Sequence, residues 1–203
     1  FNVNAVTGQK TGFFLDQREN RELLARYASG RKVLNMFGYT AGFSVYAARA
    51  GAKIVHTVDS SAPAIALATE NMKLNGFETP GYDCIVADAR KYLESKEPDE
   101  YDLIVLDPPA YAKNVASRNQ ALKGYRSINA AALSKINSGG IIFTFSCSQV
   151  VDRQLFTSAV TAAAVDTGRQ VRVIQHLSQP PDHPVNIFHQ EGEYLKGLVL
   201  LVE

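Results

Sequence analysis

Two kinds of side chain in this 203-residue sequence carry enough chemistry to organise a reading of the rest. One is a cysteine held between two serines, Ser146-Cys147-Ser148, directly after the apolar stretch 140–146. A thiol at the end of a strand can face a ligand instead of the core, and as a thiolate it would be a nucleophile fit for covalent catalysis, though position alone leaves a buried structural cysteine equally open at 147. The ordinary state of an unpaired cysteine is quiet burial. That reading suits Cys84, which sits in the middle of the run 82–88. The other feature is a set of aspartates, Asp59, Asp88 and Asp107, each closing an apolar run. A single strand-end aspartate commonly caps the next helix. Three in succession point to one shared ligand. A metal site is not expected, because the four histidines are scattered and the two cysteines lie far apart with no CxxC spacing.

The elements that must position these groups are legible as alternating patterns. Short apolar, β-branched runs at 32–37, 53–59, 82–88, 101–107, 140–146, 171–177 and 194–202 predict strands. Helical periodicity fits between them at 40–50, 62–74, 89–95, 119–135 and 152–166, with an earlier helix at about 16–27. Alternation of this kind indicates βαβ units and a mostly parallel sheet, whose ligands bind at the carboxyl edge of the strands. The length suits a single α/β domain over 1–203, with residues 1–30 forming a hairpin and helix that lead into it. The long Pro-rich loop 178–193 is the kind that is often functional.

Composition narrows the setting. Apolar residues make up 46% and charged residues 20%, ordinary for a globular domain. No apolar run approaches the roughly 20 residues needed to cross a bilayer, so no membrane partner is expected. Two isolated cysteines fit a reducing cytoplasm. The chain opens on Phe1, so further residues are expected upstream. A net charge of +1 says little globally, but no acidic residue occurs from 108 to 151, where Lys113, Arg118, Lys123, Arg126 and Lys135 are all basic. The stretch reads as a nucleic-acid face or as a solvated helix, with nothing in the sequence to separate the two.

The turn after the first strand, Asn35-Met36-Phe37-Gly38-Tyr39-Thr40-Ala41-Gly42, bears on the ligand. It lacks the GxGxxG fingerprint, and no GxxxxGK[ST] loop occurs, which argues against pyrophosphate and triphosphate ligands. S-adenosyl-L-methionine has no phosphate and tolerates a bulkier turn. Asp59, about 20 residues on, is placed to accept from ribose hydroxyls. Asp88 is placed for the adenine amine, and Asp107 or Asp16 for the cationic methionine end. Cofactor binding is thus expected from Asn35, Phe37, Tyr39 and Thr40, from Asp59 with Ser60, from Asp88 with Ala89, and from Asp16, Arg21 and Asp107.

Several segments in order resemble the catalytic domain of the bacterial 23S ribosomal RNA cytosine-5 methyltransferases of the large-subunit type. They are Thr11-Gly12-Phe13-Phe14-Leu15-Asp16-Gln17-Arg18-Glu19-Asn20-Arg21, the turn 35–42, Asp107-Pro108-Pro109-Ala110-Tyr111 and Gly124-Tyr125-Arg126-Ser127-Ile128-Asn129. Phe143-Thr144-Phe145-Ser146-Cys147-Ser148, Asp182-His183-Pro184-Val185 and Tyr194-Leu195-Lys196-Gly197 complete the set. The resemblance implies a Rossmann-like class I fold, a seven-stranded, mostly parallel sheet with its last strand antiparallel. It also implies ribosomal RNA as partner and an RNA-binding domain of the PUA type, expected to be absent from these residues and to lie upstream of them. Tyr111 stands where the family usually has phenylalanine, and Ala110 where lysine is frequent. A homodimer is left open.

By this resemblance Cys147 adds to C6 of cytosine, making C5 electron-rich enough to take a methyl group, while Asp107 bonds the cytosine edge at N3 or N4. Pro108 and Pro109 stiffen a loop from which Tyr111 stacks on an extruded base. Lys113, Arg118, Lys123 and Arg126 would hold RNA, and His183 and Lys196 would position substrate or remove a proton. Three other readings compete: guanine N-methylation, where relatives carry asparagine in place of the Ser-Cys-Ser motif; a noncatalytic RNA-binding module stabilised by the cofactor; and a small-molecule methyltransferase.

Overall fold

In a computed structural model, which describes residues 1–3, 12–189 and 192–203, the chain forms one seven-stranded sheet flanked by helices on both faces. The strands are β1 Lys32–Met36, β2 Ile54–Asp59, β3 Tyr82–Val86, β4 Tyr101–Leu106, β5 Ile136–Ser146, β6 Val171–Leu177 and β7 Lys196–Val202. The helices are α1 Arg18–Ala28, α2 Gly42–Arg49, α3 Ala62–Leu74, α4 Ala89–Glu94, α5 Arg118–Leu133 and α6 Arg153–Thr167. Strand order is β3-β2-β1-β4-β5-β7-β6. The first five strands are parallel to one another, while β7 runs antiparallel to both β5 and β6. The expected sheet, with its antiparallel last strand, is the one found. The order reverses between β1 and β4, so the switch point for a ligand lies at their carboxyl ends.

The pleat sorts side chains into two cores. Leu34, Met36, Ile104, Leu106 and Ile142 face α4, α5 and α6, while Val33, Leu103, Val105, Ile141 and Phe143 face α1, α2 and α3. Each fully buried aliphatic or phenylalanine side chain contributes about 1.5–3 kcal/mol, which accounts for near-continuous apolar runs in the central strands. Gly197 of β7 lies opposite Phe145 of β5, and a Cβ there would stand 2.6 Å from the Phe145 ring. The glycine lets the two strands close beneath that ring.

Helix starts follow local chemistry. Ser61 accepts from the Ala64 amide, Asp88 from Lys91 and Asp152 from Leu155, each satisfying an amide that has no partner within its helix. Asp88 is therefore a helix cap lying two residues beyond β3, not a strand end. A short 3-10 turn at Leu15–Gln17 displaces the start of α1 to Arg18. Strand β5 begins four residues earlier than its apolar run, through a register irregularity against β4. The expected N-terminal hairpin involves residues 4–11, which lie outside the described residues. Among the described residues no helix is long and apolar enough to cross a membrane.

Candidate active site

A cleft of about 270 Å³ opens at the carboxyl edge, over the ends of β1, β2, β4 and β5. Its floor is the turn after β1. Phe37, Tyr39 and Ala41 all have positive φ, at 58°, 45° and 65°, a conformation that costs a side-chain-bearing residue of order 1 kcal/mol or more. The strain is held by bonds from the Gly38 amide to the Val58 carbonyl, from the Ala41 amide to the Gly38 carbonyl, and from the Tyr39 amide to Asp59 Oδ2 at 3.0 Å. Only glycine fits at 38, where a Cβ would stand 2.4 Å from Thr57 Cγ2.

Asp59 also accepts the Ser61 amide on Oδ1 at 2.9 Å. Each carboxylate oxygen thus takes one amide, and a carboxylate has about four acceptor positions, which leaves capacity for hydroxyls. Ser60 and Thr40 line the same wall.

The opposite wall comes from the segment before α1. Arg21 is buried, donates from Nη1 to the Phe14 carbonyl at 2.9 Å and lies 4.5 Å from the centre of the Phe13 ring. Burial pulls its guanidinium below the ordinary arginine value, opposed by Tyr46, Asp107 and Asp16; the group remains a cation. Tyr194 donates its hydroxyl to Asp16 Oδ2 at 2.7 Å, and burial followed by that bond pushes the phenol's pKa up. Two nearly fully buried polar atoms on this wall, Gln17 Nε2 and Arg21 Nε, have no hydrogen-bond partner among the described residues. Donors of that kind, next to a buried cation, suit a carboxylate-bearing ligand such as the methionine end of S-adenosylmethionine.

Cys147 follows β5 and faces the same cleft as Asp107, Pro108 and Pro109, its Sγ 3.9 Å from the Pro108 carbonyl oxygen. The turn that holds it is pinned on both flanks. Ser146 and Ser148 are fully buried, and Ser148 Oγ takes the Ala112 amide at 3.3 Å and meets the Tyr125 hydroxyl at 2.9 Å. Cys84 stands away from the cleft on β3. Burial pushes its thiol up in pKa, with Thr69 and Thr57 partly opposing.

The cleft thus gathers Asp16, Arg21, Phe37, Tyr39, Thr40 and Asp59 with Ser60, Asp107, Pro108, Pro109 and Cys147. It does not gather every expected residue. Asn35 is buried beneath the turn and donates to Ser44 Oγ at 2.8 Å, tying β1 to α2. Asp88 caps α4 outside these walls, and Ala89 packs in the core beside it. The Tyr111 ring lies 4.8 Å from that of Tyr125 and against Gly124, so one face is taken up by packing. Arg126 is committed to Asp166 of α6 through both Nε and Nη2, while Lys113, Arg118 and Lys123 lie outside the cleft walls. His183 bonds Asp182, which also binds Arg18. Lys196 is buried with Nζ on the Ser148 carbonyl at 2.8 Å.

Phe13, Phe14, Gln17, Ser61 and Leu195 were not expected to line the cleft but do so. The signal for the first three was their place in the segment 11–21, which carries Asp16 and Arg21. Among the described residues no cluster of three or more His, Cys, Asp or Glu side chains could hold a metal.

The family model described as "S-adenosylmethionine-dependent methyltransferase" matches residues 1–194. The chain belongs to that family. As a methyltransferase its cofactor is S-adenosylmethionine, and the cleft at the β1–β4 switch point is where the fold would hold it. A ribosomal RNA large subunit methyltransferase I from Shewanella denitrificans is 45% identical over 202 residues, covering 98% of this chain and 51% of the relative. A SAM-dependent methyltransferase from Streptococcus mutans, solved as a structure, is 27% identical with a TM-score of 0.86, over 98% of this chain and 52% of its own. Another solved methyltransferase, in complex with SAH, is 28% identical with the same TM-score of 0.86, over 98% and 53%. The chain spans about half the length of the curated relatives it matches.

Proposed function

We propose that this chain is the catalytic part of a cytoplasmic RNA methyltransferase that modifies C5 of a cytosine in 23S ribosomal RNA. The observation that carries the reading is a cysteine at the carboxyl edge sharing one cleft with Asp107 and with the residues suited to the cofactor. The name of the Shewanella relative, which specifies large-subunit ribosomal RNA, supports the substrate class. Guanine N-methylation needs no thiol, and no observation favours it.

Asp59 would accept the ribose hydroxyls of the cofactor, and Arg21 with Gln17 would hold its methionine carboxylate. When bound, the cofactor supplies the methyl group from its sulfonium. The Cys147 thiolate attacks C6 of cytosine, forming an S–C6 bond and moving the ring's electron pair to C5, which takes the methyl group. Asp107 bonds the pyrimidine edge and steadies the adduct. Loss of the C5 proton to solvent or a base returns the electron pair, the S–C6 bond breaks and the thiolate leaves. Pro108 and Pro109 keep the loop rigid and the base aligned.

The test uses the full-length protein with 23S RNA carrying 5-fluorocytosine. Fluorine cannot leave as the C5 proton does, so a covalent adduct on the Cys147 peptide is expected by mass spectrometry. Methyl transfer to natural RNA with no trapped adduct, and a methylated guanine among the digested nucleosides, would overturn the reading.

A further inference from the structure

Lys196 is among the least expected side chains in this fold. A lysine is almost never fully buried unless paired, yet this one is only 3% exposed. Its place follows from the sheet. In the antiparallel β5–β7 register Lys196 lies directly opposite Ser146, and Gly197 beside it admits the Phe145 ring. From there Nζ reaches across to the Ser148 carbonyl at 2.8 Å. The lysine thus brackets Cys147, its backbone paired with the residue before and its ammonium bonded to the residue after.

We propose that Lys196 is a positioning residue for the Cys147 nucleophile, its buried ammonium holding the Ser146-Cys147-Ser148 turn and stabilising the thiolate. The proposal rests on reading Cys147 as the nucleophile and supplies what that reading lacks, a source for the thiolate. A thiol beside a lysine loses its proton more readily, and here that proton passes to solvent while the ammonium remains. Lys196 is not the base that takes the C5 proton. Its nitrogen is already engaged as a donor to the Ser148 carbonyl, a bond that favours the ammonium and works against the fall that burial causes.

Burial and most of the neighbouring charges act on Lys196 in opposite directions, with burial the largest influence. Burial lowers the Lys196 pKa, while Cys147 and Glu193 oppose the fall; Arg153 adds to it and Asp152 opposes it. Asp107 and Asp16 line the same cleft as Cys147 and, as carboxylates, oppose a thiolate there. Cys147 also interacts with Tyr125 on α5 and Tyr194 ahead of β7, two phenols pushed above the ordinary value, first of all by burial. Neither phenol is charged at neutral pH. Lys196 is then a cation that interacts directly with Cys147.

The experiment measures the pH midpoint of Cys147 alkylation by iodoacetamide in the full-length protein, with the modified peptide resolved by mass spectrometry. In the unaltered protein the midpoint should lie below the ordinary thiol value of about 8.5. Lys196→Gln keeps a donor for the Ser148 carbonyl but removes the charge, and should raise the midpoint by about one unit or more. Lys196→Arg should hold it near its starting value. An unchanged midpoint in a folded Lys196→Gln protein overturns the proposal, and so does an equal rise in the Gln and Arg variants, which would mark a packing role. Should the Gln variant fail to fold, the reciprocal measurement decides. Cys147→Ala should lower the Lys196 titration followed by NMR of isotope-labelled lysine Cε, and no change there overturns the ion pair. Failure of the nucleophile reading shows itself differently, as methyl transfer that survives Cys147→Ala.

Discussion

The strand-end cleft and the basic stretch beyond it both drew attention as chemistry, and the fold treats them oppositely. At the strand ends Asp59, Asp107 and Cys147, far apart in sequence, meet in one cleft. Their positions are set by a parallel sheet and by turns whose amides are tied to Asp59 and whose serines are buried. In the stretch 108–151, charges that looked alike are put to different uses. Arg126 is taken by Asp166, and Lys135 donates to the Lys96 carbonyl, while Lys113 and Lys123 remain exposed. A strand end has one geometry that the sheet imposes. A helix face has many neighbours, and a long basic side chain takes whichever acceptor the tertiary fold brings near.

The sharpest way to break this contrast is at the centre of the cleft. Cys147→Ala should lower methyl transfer by several orders of magnitude, as loss of a nucleophile does. Cofactor affinity by calorimetry should stay within about twofold, since the Asp59 wall is held by its own bonds to the Tyr39 and Ser61 amides. Survival of transfer would reduce Cys147 to a packing residue and leave the cleft no more special than the helix face.

A smaller effect is expected at the cofactor wall. Asp59→Ala removes a charged acceptor for hydroxyls as well as the anchor for the Tyr39 and Ser61 amides. Hydrogen bonds to a charged group are worth about 1.5–3 kcal/mol, so titration should show cofactor affinity falling roughly 10- to 100-fold. Affinity equal to that of the unaltered protein would remove Asp59 from the cofactor site.

The smallest effects should separate residues within the basic stretch. Reversing Arg118 and Lys123 together should weaken RNA binding and reduce the slope of log affinity against log salt by about one for each phosphate no longer neutralised. Arg126→Ala should leave the slope nearly unchanged, because Asp166 already neutralises that guanidinium. Equal losses from both changes would mean that the pairing with Asp166 opens to admit RNA. No change from either would make the stretch a solvated face.

How much of this was readable beforehand depends on the range of the interaction concerned. The sheet, its flanking helices and the carboxyl-edge aspartates Asp59 and Asp107 followed from strand and helix periodicities, which are local in sequence. Cys147 stood out through its place just after an apolar run, but it was the resemblance of its Ser-Cys-Ser setting to the cytosine-5 methyltransferases that made it a nucleophile candidate instead of a buried thiol. Asp88 was misplaced because capping depends on where the helix starts, and a boundary shift of two residues converts a strand end into a cap. The strained turn at 37–41 was not visible in residue types. Its positive φ values belong to Phe, Tyr and Ala, held by Val58 and Asp59 on the neighbouring strand. The burial of Lys196 beside Ser148 was equally hidden, since it depends on the pairing of β5 with β7, strands separated by all of α6 and β6. By itself the sequence determined which side chains could do chemistry and which end of the sheet would carry them. Only the tertiary structure decided which charges stay available to a ligand and which are consumed by the fold, because that depends on partners brought together from distant parts of the chain.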